Sequence, residues 1–196
     1  MKCLGNINSS IIVIGCFHGD EPQGKYLIEK YIEQNKETKL LFIPCLNEYG
    51  FEHNVRTNAN GVDLNRNFPA KNWVLGEKDN FFGGSEPASE EETRFIIDII
   101  EQNNPKLILT LHAPYKVVNY DGPAKEISEK ISKITGYPIE ESIGYPTPGS
   151  FGTWAGIERQ IPTVTLELDE NADIKELETP VFKVFELLER ELNGKY

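Results

Sequence analysis

An excess of cations, a CxxC cysteine pair and any long apolar run are what this 196-residue chain lacks. Its 20 lysines and arginines against 31 aspartates and glutamates leave a formal charge of −11, which argues against non-specific binding to nucleic acid or to an anionic membrane. No apolar stretch approaches the roughly 20 residues needed to span a bilayer. The opening "MKCLGNINSS" carries one lysine but no sustained apolar core, so it does not read as a secretory signal, and a cytoplasmic protein is expected. The three cysteines, Cys3, Cys16 and Cys45, are odd in number and form no CxxC pair. Cys16 and Cys45 stand in or beside apolar runs, where buried, reduced thiols are expected. No repeat and no linker divides the sequence, so a single domain over residues 1–196 is expected, long enough to bury a real core.

What is present is an alternation of elements. "IIVIGCF" (11–17) reads as a strand buried on both faces. Pro22 opens a helix over "PQGKYLIEKYIEQN", and "KLLFIPCL" is a second buried strand. From Asn47 to Gly84 no period holds and turn residues dominate; loops of that length are commonly functional. Ser89 and Glu92 have capping-box spacing ahead of a helix marked by Phe95, Ile96, Ile99 and Ile100. The strand "KLILTLHA" and the short run "KVVNY" follow, then a helix over "AKEISEKISKITG" that Gly136 and Pro138 close. A short helix at "TWAGIERQ", a buried strand "TVTLEL" and an amphipathic helix over 176–193 complete the chain. This order predicts an α/β fold: a mixed, mostly parallel central sheet with helices on both faces.

Open α/β sheets hold their sites at the carboxyl ends of strands. His18 follows the first strand, with Glu21 three residues on, and His112 ends "LILTLH". Two histidines and one carboxylate make a catalytic zinc set that leaves one position for water, and such donors suit a borderline-soft cation. His53, the remaining histidine, lies in a polar stretch without a partner ligand and reads as incidental. Glu167 stands in an apolar strand, where a charge is expensive without a task. A buried carboxylate beside a metal can act as general base and then as acid; a salt-bridged core glutamate is the alternative.

Taken in order, the HxxE of His18 and Glu21, "RTNANGVDLNRNFPA", "GSEP", His112, "GYPTPGSFGTWAG" and "TLEL" resemble the zinc carboxypeptidase family. Within it they are most similar to the bacterial murein tripeptide amidases, over residues 11 to 169. The resemblance implies that family's fold and one zinc per chain, held by His18, Glu21 and His112. It makes Glu167 the general base and gives Arg56 the oxyanion of the tetrahedral intermediate. Asn65 and Arg66 correspond to the pair that grips the terminal carboxylate, Asp63 to the carboxylate that orients the first histidine, and Tyr145 to the mobile tyrosine that caps the substrate.

The implied activity is hydrolysis of the bond to a C-terminal residue with a free carboxylate. The implied substrate is a small peptide, the murein tripeptide cut between γ-D-Glu and diaminopimelate during cell-wall peptide recycling. "CLNEYG" stands where many relatives carry an asparagine-proline-aspartate-glycine turn, and the loop from Lys71 to Gly84 is short. "HAPYKVVNYDG" also differs from the murein amidases. Near Gly152, where the family's side-chain pocket is lined, no acidic residue is expected, so a specialist for lysine or arginine ends is not expected either. Related deacylases of N-acyl amino acids such as succinylglutamate share much of this set, although "GSFGTWAG" favours the peptidase side. A non-catalytic binding relative would have lost Glu167 or a ligand, and neither loss is seen.

Overall fold

The computed structural model describes residues 1–141 and 144–193. Strand β2 (Ile11–Gly15) is buried at all five positions, as its unbroken apolar run requires. Its side chains divide between two cores: Ile11 and Val13 pack on one face of the sheet, Ile12 and Ile14 on the other. Helix α1 (Gln23–Gln34) begins after Pro22 and buries Leu27, Ile28 and Tyr31, while β3 (Leu41–Ile43) returns parallel beside β2. Strand β4 (Leu107–His112) lies on the other side of β2, and β7 (Thr163–Glu167) beside β4, both parallel.

Around this parallel centre the sheet is mixed. Strand β1 (Leu4–Gly5) runs antiparallel to β3, and β5 (Val118–Asp121) antiparallel to β7, with β6 (Ile139–Glu140) at the edge. The full order is β1-β3-β2-β4-β7-β5-β6. Helices α1, α4 (Lys125–Thr135) and α5 (Ile174–Asn193) cover the first core. Helix α3 (Glu91–Asn103) and a π-helical segment at Gly152–Ile157 cover the second, with Trp154 fully buried among Phe68, Phe151 and the sheet.

Local differences from the expected elements have physical causes. Residues 47–84 are not wholly irregular: Glu48–His53 forms helix α2, because the Asn47 side chain accepts from the Gly50 N–H as an N-cap. Leu64–Arg66 is a single 3₁₀ turn, capped in the same way by Asp63. Ser89 makes no capping box. Its hydroxyl donates to Glu90 and accepts from Asn67, so α3 starts two residues later with Glu90 at its cap and no side-chain cap bond. Among the described residues no helix is long and apolar enough to cross a membrane.

Candidate active site

The carboxyl ends of β2 and β4 meet at the site. After Gly15 the chain turns through Cys16, at φ 53°, and the Glu21 N–H donates to the His18 carbonyl at 3.2 Å. That turn folds His18 and Glu21 together. Gly19 is required within it, since a Cβ there would lie 1.8 Å from the Gly50 backbone. His18 Nδ1 lies 2.9 Å from Glu21 Oε1, and His112 Nδ1 lies 2.9 Å from Glu21 Oε2. One donor atom from each of the three residues lies within 4.8 Å of the others.

Asp63 is fully buried behind this triple. Its Oδ1 sits 3.0 Å from His18 Nε2 and accepts the Asn65 N–H at 2.8 Å, while Oδ2 accepts Arg56 Nε and Nη2 at 3.0 and 2.8 Å. With Nε2 on Asp63, Nδ1 of His18 is the ring nitrogen turned towards Glu21 and the cavity. Burial alone would lower the His18 pKa, but Glu21 and Asp63 on either side raise it, to about 9. Burial pushes the two carboxylates up, yet their cationic neighbours hold both well below the ordinary range. Two imidazoles and a carboxylate that binds both are a donor set suited to zinc, and the anionic surroundings of His18 favour a cation there.

Glu167 pairs in register with His112 across β4 and β7. It is 6% exposed, and its Oε2 has no hydrogen-bond partner among the described residues. Burial raises its pKa, which nearby His112 partly offsets. A cavity of about 350 Å³ joins His18, Glu21, His112 and Glu167 to Arg56 and Arg66. Arg56 reaches it with Nη1 3.6 Å from Glu21, its guanidinium 5.1 Å above the Phe81 ring. Asn65 Oδ1 accepts the Phe151 N–H at 2.9 Å, and Arg66 Nη1 donates to the Asn65 carbonyl at 2.7 Å. Exposed Tyr145 lines the same space, as does Tyr115. All nine residues singled out by sequence therefore surround one cavity or stand directly behind it. His53 does not: it stacks on Tyr49 at 4.0 Å, away from the other histidines.

The zinc carboxypeptidase sequence profile matches residues 5–176. The chain belongs to the zinc carboxypeptidase family. It is 33% identical over 156 residues to murein peptide amidase A of Escherichia coli K12, an alignment spanning 74% of this chain and 64% of that protein. With the enzyme of the same name from Vibrio campbellii the identity is 36% over 140 residues, 64% of this chain and 53% of that one. The chain thus spans less than two thirds of the curated relatives it matches. The crystal structure of murein-tripeptide amidase from E. coli O157 superposes with a TM-score of 0.82 at 28% identity, covering 94% of this chain and 83% of that one. Carboxypeptidase A from Helicoverpa armigera, at 16% identity and a TM-score of 0.74, shares the fold.

Three parts of this family member's site escaped sequence reasoning. Phe81 and Tyr115 line the catalytic cavity from loops whose positions no period announces. Buried Glu90 accepts from Asn58, Asn60 and Ser89 at 2.8, 2.7 and 2.6 Å, while its N–H donates to Asn67 Oδ1 at 3.1 Å. It thereby ties down both ends of the loop that carries Asp63, Asn65 and Arg66. The third part corrects an expectation. Gly152 does have an acid beside it: a Cβ there would lie 2.1 Å from Asp121 Oδ2. The neighbour arrives from β5, thirty-one positions earlier, because that strand runs antiparallel along β7 and brings Asp121 opposite Thr163. Alternation in "VNYD" was the available signal, since it places Asn119 and Asp121 on one face.

Proposed function

We propose that this chain is a zinc-dependent hydrolase that removes a C-terminal residue bearing a free carboxylate, its substrate being the murein tripeptide L-Ala–γ-D-Glu–diaminopimelate, cut before diaminopimelate. The observation that carries the reading is Glu167: a buried carboxylate with one oxygen unbonded among the described residues, lining the cavity that His18, Glu21 and His112 share. His18, Glu21 and His112 would hold the zinc. When bound, zinc supplies Lewis acidity, which makes water a nucleophile near neutral pH and polarises a carbonyl.

Glu167 takes the proton of the attacking water and hands it to the leaving nitrogen, and its raised pKa suits both transfers. Arg56 is held by Asp63 with part of its guanidinium towards the cavity, where its fixed charge favours the developing oxyanion. Asp63 keeps His18 in one ring orientation. Arg66 binds the leaving residue's carboxylate beside the Asn65 amide, whose oxygen is already committed to Phe151. Tyr145 closes over the substrate from the rim, shielding these charges from water.

The names of the curated relatives support the substrate assignment. Residues 1–196 act as one catalytic domain in this reading, because the site is assembled at the carboxyl ends of the strands of a single sheet and on the loops beside them. Three unpaired cysteines support work in a reducing compartment, the cytoplasm, on peptides recovered from the wall. The test is mass spectrometry of zinc-loaded protein incubated with the tripeptide, a panel of dipeptides and N-acyl amino acids. Release of diaminopimelate is expected; cleavage of the N-acyl amino acids alone would replace the reading with a deacylase. Elemental analysis should find about one zinc per chain, lost on His112→Ala.

A further inference from the structure

Phe81 is an aromatic side chain 55% open to solvent, although its neighbour Phe82 is buried. Neither core of the sheet includes it. It stands in the wall of the catalytic cavity, and the Arg56 guanidinium lies over its ring, 5.1 Å from the centroid. The turn that presents it is closely bonded. The Phe81 N–H donates to Asp79 Oδ1 at 2.7 Å, and the Phe82 N–H to the Asp79 carbonyl at 3.2 Å. The Phe82 carbonyl in turn accepts the Asp63 N–H at 2.8 Å. Asp63 therefore holds Arg56 with its side chain and the Phe81 turn with its backbone.

Asp63 alone leaves one motion of Arg56 free. Arg56 Nε and Nη2 both donate to a single atom, Asp63 Oδ2. Two donors on one acceptor fix the distance of the guanidinium but let its plane rock about that oxygen; a fork onto two oxygens would not. Glu21 stands 3.6 Å from Nη1, beyond hydrogen-bond range, so it does not stop the rocking. A surface against the flat face of the guanidinium does. An aromatic ring serves here because it attracts the cation while keeping water from that face.

We infer that Phe81 is a positioning residue for Arg56: its ring fixes the tilt of the guanidinium, so that Nη1 is presented to the cavity where the oxyanion forms. The inference rests on the hydrolytic reading above and deepens it. Phe81 acts through Arg56 and need not touch the substrate. Because the oxyanion is absent from the ground state, the effect belongs in kcat rather than in KM. A cation–π contact of this kind corresponds to about 3- to 30-fold in a rate or an equilibrium.

Phe81→Leu, which keeps an apolar side chain and removes the ring, and Phe81→Tyr, which keeps the ring, test this on the zinc-loaded protein. One readout is kcat and KM on whichever substrate the protein hydrolyses. The other is hydrogen exchange of the Arg56 Nε–H by nuclear magnetic resonance, which needs no turnover. Phe81→Leu should lower kcat by about 3- to 30-fold, leave KM within about twofold, and speed the exchange by a similar factor. Phe81→Tyr should restore both, and on an Arg56→Ala background Phe81→Leu should have no further effect. A change in KM with kcat untouched, a loss that Phe81→Tyr does not restore, a loss that persists without Arg56, or exchange unaltered by Phe81→Leu would each overturn the inference. Faster exchange in Phe81→Leu of a protein that leaves the tripeptide intact would uphold Phe81 and sink the amidase reading. Tripeptide cleavage with kcat and exchange both indifferent to Phe81→Leu would do the reverse.

Discussion

His112 and Glu167 stand opposite each other at the carboxyl ends of neighbouring parallel strands, β4 and β7. A proposed zinc ligand and the proposed base are thus fixed by one ladder of backbone hydrogen bonds rather than by loops. Glu167→Gln keeps the shape and removes the proton acceptor. It should leave zinc in place and reduce turnover of the tripeptide by at least about two orders of magnitude. Parallel zinc analysis and rate measurement check both halves; unchanged turnover would show that another group takes the proton.

Arg66 and the leaving carboxylate form the second test. Arg66→Ala should slow cleavage of the free acid far more than cleavage of the C-terminal amide, which has already lost the contact. The coupling between the two changes should reach roughly 2 kcal/mol for a partly desolvated pair. Four kcat/KM values close the cycle, and simple additivity would mean that Arg66 does not read that carboxylate.

Asp63 holds His18 from behind and Arg56 from the side. Asp63→Asn keeps the shape but weakens both bonds, so zinc affinity should fall by about 10- to 100-fold. Competition against a chelator measures it; undiminished affinity would remove Asp63 from any role in orienting the ligand.

Glu90 predicts a stability effect instead. Its removal takes the common acceptor from Asn58, Asn60 and Ser89 and empties the buried place of its own carboxylate, leaving Asn58 Nδ2 only its longer contacts to Glu92. Glu90→Ala should therefore destabilise the protein by roughly 2 to 4 kcal/mol in urea unfolding. A loss below about 0.5 kcal/mol, the usual range for surface substitutions, would show that the loop holds itself.

Burial pushes Asp121 up to about 6. Its folded-state value lies above the unfolded one, so the native state binds the proton more tightly and stability declines as pH rises from about 4 to about 6. Asp121→Asn should therefore be the more stable form at pH 8, by roughly 1 to 2 kcal/mol after allowance for partial exposure, with little difference near pH 4. Urea unfolding of both forms at the two pH values provides the comparison; a gap independent of pH would point to packing rather than charge.

Much of the site was legible because its chemistry is written locally. His18 and Glu21 share one turn, Asp63, Asn65 and Arg66 one short loop, and Glu167 announces itself as a charge between apolar neighbours. The helices over Gln23–Gln34 and Lys125–Thr135 were equally plain, one following Pro22 and the other closed by Gly136 at φ 75°. The two-residue strands β1 and β6 carry no period at all. The approach of Asp121 to Gly152 depends on the direction of β5, which a short apolar run does not encode: the same residues running parallel would pair differently with β7. What sequence lost there was a long-range relation, not a residue type.

Gly152 and Asp121 cannot both carry a group into the space between them, since a Cβ on the first would stand 2.1 Å from the carboxylate of the second. The two positions are rivals for one volume. A side chain installed at 152 would have to evict Asp121 before it could offer a chemistry of its own, so a substitution at 152 takes a coupled change at 121. A change at 152 alone leaves a clash, whereas position 121 can be exchanged for an isostere such as asparagine with the glycine untouched.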